Sequence, residues 1–216
     1  MRLHIVQVII GAILLAGQAA GAKFTPARAL KVFLPATQPA TAVGGGEVLL
    51  EVVVSDQGLV RDIHTLRATP PFTPLVIEVV RSWSFAPATV TNPNEPPRAM
   101  ESSVLVAAVF RPPTLYNAPG IGELPKDLRK PSDRVVFPAR ITVPTFPPQA
   151  LFDGMVLVEA AVTPKGTVGE AKIIGAGSGF EKASLDAVQA WQFQPTRQPA
   201  YAYIIFGYRQ PVIVQP

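Results

Sequence analysis

Few residues in this chain combine the chemistry and the spacing of a reaction centre. The only histidines are His4, inside an apolar N-terminal stretch, and His64. Asp62 precedes His64 by two positions, so a Ser-His-Asp hydrolase is the one nucleophilic centre this neighbourhood offers. An aspartate two residues away on a strand more often meets another neighbour than completes a triad, and a solvent-facing or hydrogen-bonded histidine is the preferred reading. Glu51 and Glu159 each fall mid-strand on the less apolar face. A catalytic carboxylate would need an acid/base partner beside it, and none recurs at both places. Each is therefore expected on a solvated sheet face or paired to a basic neighbour. The run Gly175-Ala176-Gly177-Ser178-Gly179 echoes a phosphate-binding loop but lacks its lysine and the following Ser/Thr, so a connecting loop is the better account. Cysteine is absent, which removes thiolate chemistry and disulfides. One histidine beyond the leader makes a structural zinc or a 2-His-carboxylate iron site unexpected within one chain. No catalytic residue, metal or cofactor is expected.

The residues that do stand out form a repeat. Segments Gly46 to Pro87 and Gly154 to Pro195 align without a gap at a constant offset, matching Gly46/Gly154, Val48/Val156, Glu51/Glu159, Gly58/Gly166, Phe72/Phe180, Trp83/Trp191, Phe85/Phe193 and Pro87/Pro195. Two copies of one small α+β module are the expected organisation. The tryptophans could form a ligand platform. Their position on an apolar stripe instead makes Trp83, Phe85, Trp191 and Phe193 expected core anchors.

Composition narrows the function classes. The formal charge of +4 over 216 residues is mild, and the basic residues are scattered singly, which excludes a nucleic-acid footprint. The 24 prolines cluster between hydrophobic runs and suggest stiff, extended connections. Arg2 precedes the uncharged stretch Leu3 to Ala22, which ends in Ala20-Gly21-Ala22, the small-x-small pattern of a signal-peptidase site. Residues 1–22 are expected to be a cleaved signal peptide delivering the protein to the periplasm. The alternative is an uncleaved inner-membrane anchor facing the periplasm. Membrane contact is expected only through this leader.

The elements that would position these residues are clearest in the second copy. Pro147 to Gly154 predicts a short helix closed by glycine. Met155–Val162 and Thr167–Ile174 predict a hairpin around Thr163-Pro164-Lys165-Gly166. Ser178-Gly179-Phe180-Glu181 is a capping box opening a helix that runs to about Trp191, and Tyr201–Tyr208 is a final strand. The first copy predicts strands Val48–Val54 and Leu59–Leu66, a helix starting at Thr73-Pro74 and a closing strand Ser103–Phe110. The resulting boundaries are module one at 32–112, a proline-rich linker at 113–143 and module two at 144–216.

Together Pro147-Pro148-x-Ala150, Gly154-x-Val156-x-Val158, Val162-x-x-x-Gly166-x-Val168 and Leu185-Asp186-Ala187 with Trp191-x-Phe193-x-Pro195 resemble the TonB C-terminal domain family. The resemblance covers nearly all of Thr145–Val212 and is weaker over Phe33–Pro112. It implies that each module is a three-stranded antiparallel sheet with helices packed on one face. In energy-transducing members the last strand is an edge, to which an extended peptide of an outer-membrane transporter adds. By that resemblance the partner-binding residues here are Tyr201, Ala202, Tyr203, Ile204, Ile205, Phe206 and Tyr208, with Ser103–Phe110 as the counterpart in module one. Unpaired edge amides and carbonyls suit such strand addition. The chain departs from a transducer in its spacer. About ten residues separate Ala22 from Phe33, a reach of roughly 35 Å when extended, too short to cross the periplasm.

The expected function is thus non-enzymatic: an exported, periplasmic protein that binds an extended peptide segment of an envelope or outer-membrane protein by β-strand addition, in TonB-type envelope transport. The alternative is structural self-assembly, as a dimer or envelope scaffold, through the same sheet edges.

Overall fold

The computed structural model describes residues 22–39, 44–112, 120–123, 135–176 and 179–210. The N-terminal segment supplies β1 (Lys23–Thr25) and β2 (Arg28–Lys31). The first half continues with β3 (Gly46–Val54), β4 (Val60–Arg67), α1 (Phe72–Val80), β5 (Ser84–Ala86), β6 (Ala88–Thr91), β7 (Arg98–Met100) and β8 (Ser102–Phe110). Then come β9 (Gly120–Glu123), β10 (Pro138–Val143), β11 (Gly154–Val162), β12 (Val168–Ala176), α2 (Glu181–Gln189), β13 (Gln192–Phe193) and β14 (Ala200–Tyr208). The described residues are mixed α+β, mostly strands with two helices.

Both long hairpins turn on a glycine. Gly58 (φ +80°) and Gly166 (φ +81°) occupy the left-handed region, and a Cβ there would lie 1.9 Å from the Phe85 carbonyl oxygen or 2.1 Å from that of Phe193. Only glycine meets both demands. Each glycine is also tied to the strand after the helix: the amide of Phe85 donates to the Gly58 carbonyl at 2.8 Å, and that of Phe193 to the Gly166 carbonyl at 2.7 Å. The turn thus docks on the Trp-x-Phe segment, which fixes hairpin against helix in each half.

The principal sheet has six strands in the order β12-β11-β14-β8-β3-β4. Every neighbouring pair is antiparallel except β14 and β8, which run parallel from Ala202 opposite Leu105 to Gly207 opposite Phe110. Side chains alternate between two cores. Val104, Val106 and Ala108 of β8 join Tyr203 and Ile205 of β14 on the face covered by α1 and Trp83. Leu105, Ala107 and Val109 join Ala202, Ile204 and Phe206 on the opposite face, covered by α2 and Trp191. The helices therefore lie on opposite faces of one continuous sheet, and each core draws on both halves.

Several expectations change in the structure. Pro147–Gly154 forms a single turn, with the Ala150 amide donating to the Pro147 carbonyl at 3.0 Å, rather than a helix. Two prolines at its start and Gly154 at its end leave too few amides to propagate one. α1 begins at Phe72, before Thr73; Pro74 sits in the first turn, where its missing N–H costs nothing, and the Thr69 amide donates to the Thr73 hydroxyl at 2.8 Å. Ser178 of the capping box lies outside the described residues, while the Glu181 carboxylate accepts from the Gly179 amide at 2.8 Å. The segment ahead of residue 32 packs on the first half, since β2 pairs with β5 and β1 with β6. The end of the expected linker is ordered structure as well, with β10 pairing β13 and β9. Extended proline-rich backbone retains enough donors and acceptors to pair where a partner strand is near. Residues 1–21 of the expected leader lie outside the described residues. Among the described residues no helix is long and apolar enough to cross a membrane.

Candidate functional site

The strand expected to receive a partner is interior to the sheet. β14 pairs with β11 along Ala200–Tyr208 on one side and with β8 along Ala202–Gly207 on the other. Tyr201 is half-buried, and Ala202, Tyr203, Ile204, Ile205, Phe206 and Tyr208 are buried. From Ala202 to Gly207 both backbone edges of β14 are spent within the chain, so that stretch presents no free edge for a peptide, and neither does Leu105–Phe110 of β8, which β3 and β14 flank. Self-assembly through these same edges would require two chains to exchange strands. The physical reason is mutual: a long apolar strand left bare is an aggregation hazard, and each half covers the other's.

The core anchors are placed as their stripe implies. Trp83, Phe85, Trp191 and Phe193 are all buried. The indole nitrogen of Trp83 donates to the Phe33 carbonyl at 3.0 Å, and that of Trp191 to the Thr142 carbonyl at 3.1 Å. Each tryptophan thus ties its helix end to the extended segment preceding its half, and neither offers a ligand platform.

Glu159 departs furthest from a solvated surface residue. It is 3 % exposed, because the face of β11 that carries it is the face the first half and its N-terminal segment cover. Its cross-strand neighbours are Lys172 on β12 and Tyr203 on β14. The Lys172 ammonium lies 3.2 Å from Glu159 Oε1, and the Arg28 guanidinium from β2 donates to the same oxygen at 2.9 Å. The Tyr203 hydroxyl donates to Oε2 at 3.4 Å and accepts from the Ala29 amide at 2.7 Å. The hydrogen bond and charge of Glu159 push the Arg28 pKa up, while burial drives the Tyr203 phenol far above its ordinary value. A fully engaged carboxylate with two cations is a structural clamp rather than a general base. Glu51 is also buried, with His64 opposite it on β4 and Leu105 on β8.

His64 Nε2 lies 3.5 Å from Asp62 Oδ2 on the exposed outer strand, with both side chains largely in solvent. Among the described residues no serine hydroxyl is hydrogen-bonded to the pair. Among the described residues no group of three His, Cys, Asp or Glu side chains could hold a metal ion.

The edges left to the six-stranded sheet are β4 and β12. β4 carries Arg61, Asp62 and Arg67, the charges with which natural edges discourage pairing. β12 is less guarded, with Gly169 and Glu170 exposed, Ala171 between Glu170 and Lys172, and Ile173 and Ile174 beyond them. Beside the start of β11, Leu151 and Phe152 are exposed at 68 % and 76 %. Sequence reasoning missed Arg28, whose pairing with Glu159 spans the two halves and leaves no local spacing signal. It also missed β12 as an edge, although the alternation of that strand was legible.

No curated protein matches the chain. The segment from the end of β10 through β14, residues 143–208, matches the family model of the Gram-negative bacterial TonB protein C-terminal, and this part of the chain is similar to that domain.

Proposed function

We propose that this chain is a non-catalytic, exported protein of the Gram-negative envelope, built of two TonB-C-type modules joined edge to edge, which binds a protein partner along β12. The observation that carries the reading is the parallel pairing of β14 with β8, which uses up the edge that a lone module would offer and leaves β12 as the less guarded edge of the matched segment. Support for two modules comes from details at equivalent positions. The isolated bridges Leu59–Ser84 and Thr167–Gln192 correspond, as do the stacked pairs Phe72–Phe110 (4.1 Å, 12°) and Phe180–Tyr208 (4.4 Å, 26°). A half-turn about an axis between β8 and β14, parallel to both, preserves strand direction and exchanges sheet faces. It accounts for helices on opposite sides. Transport or scaffolding in the periplasm, after removal of residues 1–22, fits the family similarity.

Site-specific photo-crosslinking in intact cells tests the reading. A crosslinker at the exposed Glu170 of β12 is expected to give a discrete adduct with an envelope protein, and one at Ile204 of β14 none. The mature protein in the periplasmic fraction is expected to begin near Lys23. Adducts from Ile204 but not Glu170 would overturn the proposed edge.

A second reading, self-assembly, is favoured by the seam itself, since strands that pair within one chain can pair between two by exchange. Sedimentation over a wide concentration range separates the readings: a dimer whose ladder joins β14 of one copy to β8 of the other would establish the second.

A further inference from the structure

At the amino-terminal ends of β8 and β14 the seam opens. The parallel ladder starts only at Ala202 and Leu105, so Ser102–Val104 and Ala200–Tyr201 stand outside it and line a cleft of about 340 Å³. That volume is in the range of small-ligand sites. One wall is a feature of the first half. The stretch between Pro87 and Ser102 is longer than that between Pro195 and Ala200, and the extra residues fold into β6 and β7, which with β1 form a small three-stranded sheet. Phe24, Val90 and Met100 of that sheet face the cleft, with Val136 from the second half.

Two polar groups mark the cleft as built for an occupant. Ser102 is only 8 % exposed, and its hydroxyl has no hydrogen-bond partner. A buried hydroxyl left unpaired is costly and calls for explanation. Arg197 lies at the mouth, exposed, while the other charged lining residue, Glu101, is engaged by Arg61. An apolar wall, an unsatisfied hydroxyl, strand backbone with no strand partner on the seam side and a cation together describe a ligand with amide groups, an apolar side chain and a negative end.

We propose that this cleft binds the C-terminus of an extended apolar peptide. The terminal carboxylate meets Arg197, an amide of the peptide backbone pairs with the Ser102 hydroxyl, and the last side chain enters the Phe24–Val90–Met100 wall. An acyl chain would satisfy the wall and the cation but neither the hydroxyl nor the strand backbone, which favours a peptide over a fatty acid. The proposal rests on the reading of the chain as a partner-binding protein, yet the two fail separately: crosslinks from Glu170 report on β12, and the cleft is probed with defined small ligands.

The test uses the full mature chain and acetyl-Ala-Val-Phe, as free acid and as C-terminal amide, with decanoate for comparison, by calorimetry. The free acid is expected to bind saturably and the amide about tenfold more weakly, a difference that Arg197→Ala abolishes. Ser102→Ala is expected to weaken the free acid several-fold while leaving the unfolding midpoint of the unliganded chain unchanged or higher, since it removes an unpaired group. A serine with a purely structural role would lower that midpoint. Ser102→Val, whose branched side chain suits a strand but adds bulk that fills the mouth of the hydroxyl site, is expected to abolish binding. Absence of saturable peptide binding, equal affinity for acid and amide, indifference to both serine variants, or tighter binding of decanoate than peptide would each overturn the proposal.

Discussion

The guanidinium of Arg28 lies 2.9 Å from the carboxylate of Glu159, although the two residues belong to opposite halves of the chain. Arg28 rides on β2, which pairs with β5 of the first half, whereas Glu159 sits in β11 of the second. This pair, with the Tyr203 hydroxyl bonded to the Ala29 amide, pins the N-terminal segment across the seam.

The ion cluster is asymmetric, and its variants should show it. Arg28 and Lys172 are roughly half-exposed, so Glu159→Gln releases both to water and is expected to cost about 1 kcal/mol. The double variant Arg28→Ala/Lys172→Ala strands a buried carboxylate and is expected to cost about 3 kcal/mol or more. Urea unfolding of the variants checks the order.

Because each core contains residues of both halves, unfolding is expected to be a single transition. Trp83→Phe and Trp191→Phe each leave one fluorophore, and the two reporters should give coincident midpoints. Truncation to alanine at either site is expected to cost about 3–5 kcal/mol. Two separated transitions would mean that the seam does not couple the halves.

Proline scanning distinguishes an interior strand from an edge. In β14, adjacent residues direct their amides to β11 and to β8, so Ile204→Pro and Ile205→Pro are both expected to destabilise by more than about 2 kcal/mol. In β12 only one of Ala171→Pro and Lys172→Pro should do so through lost pairing, since one of the two amides points away from β11. Tolerance of either β14 variant in thermal unfolding would indicate an open edge.

Alkaline stability follows from the buried phenols. Burial raises the pKa of Tyr203 and Tyr208 far above the unfolded value of about 10. The stability they contribute is therefore complete below pH 10 and declines as pH rises beyond it, because the unfolded chain releases those protons first. Tyr208→Phe orphans the Ser184 hydroxyl, 2.7 Å from the phenol oxygen, and is expected to cost about 1–2 kcal/mol at neutral pH. Its decline between pH 10 and 12 should be shallower than that of the wild type, measured by unfolding at each pH.

Paired turn glycines give a fifth check. Gly58→Ala and Gly166→Ala meet the same backbone clash at the same φ, so both are expected to destabilise by about 2 kcal/mol or more, and by similar amounts.

The features under short-range control are legible in the residues alone. Alternation marked the long strands to within two residues of their observed bounds, the glycines fixed both hairpin turns, and the apolar stripe placed both tryptophans in the core. Those signals lie within a few residues of the atoms they describe. At Pro147–Gly154 helix-end signals stand without enough backbone donors between them, and a single turn forms in place of the expected helix. What lay beyond the sequence depended on which edge meets which. Tyr201–Tyr208 has the same alternation whether it ends a sheet or stands at its centre, and only the arrival of β8 decides that. The same is true of Glu159, whose strand position suits a wetted face or a basic neighbour alike, and which the other half buries against Arg28 and Lys172. Backbone hydrogen bonds carry no side-chain identity, so strand order across the seam, and with it the surface left for a partner, was settled only in the tertiary structure.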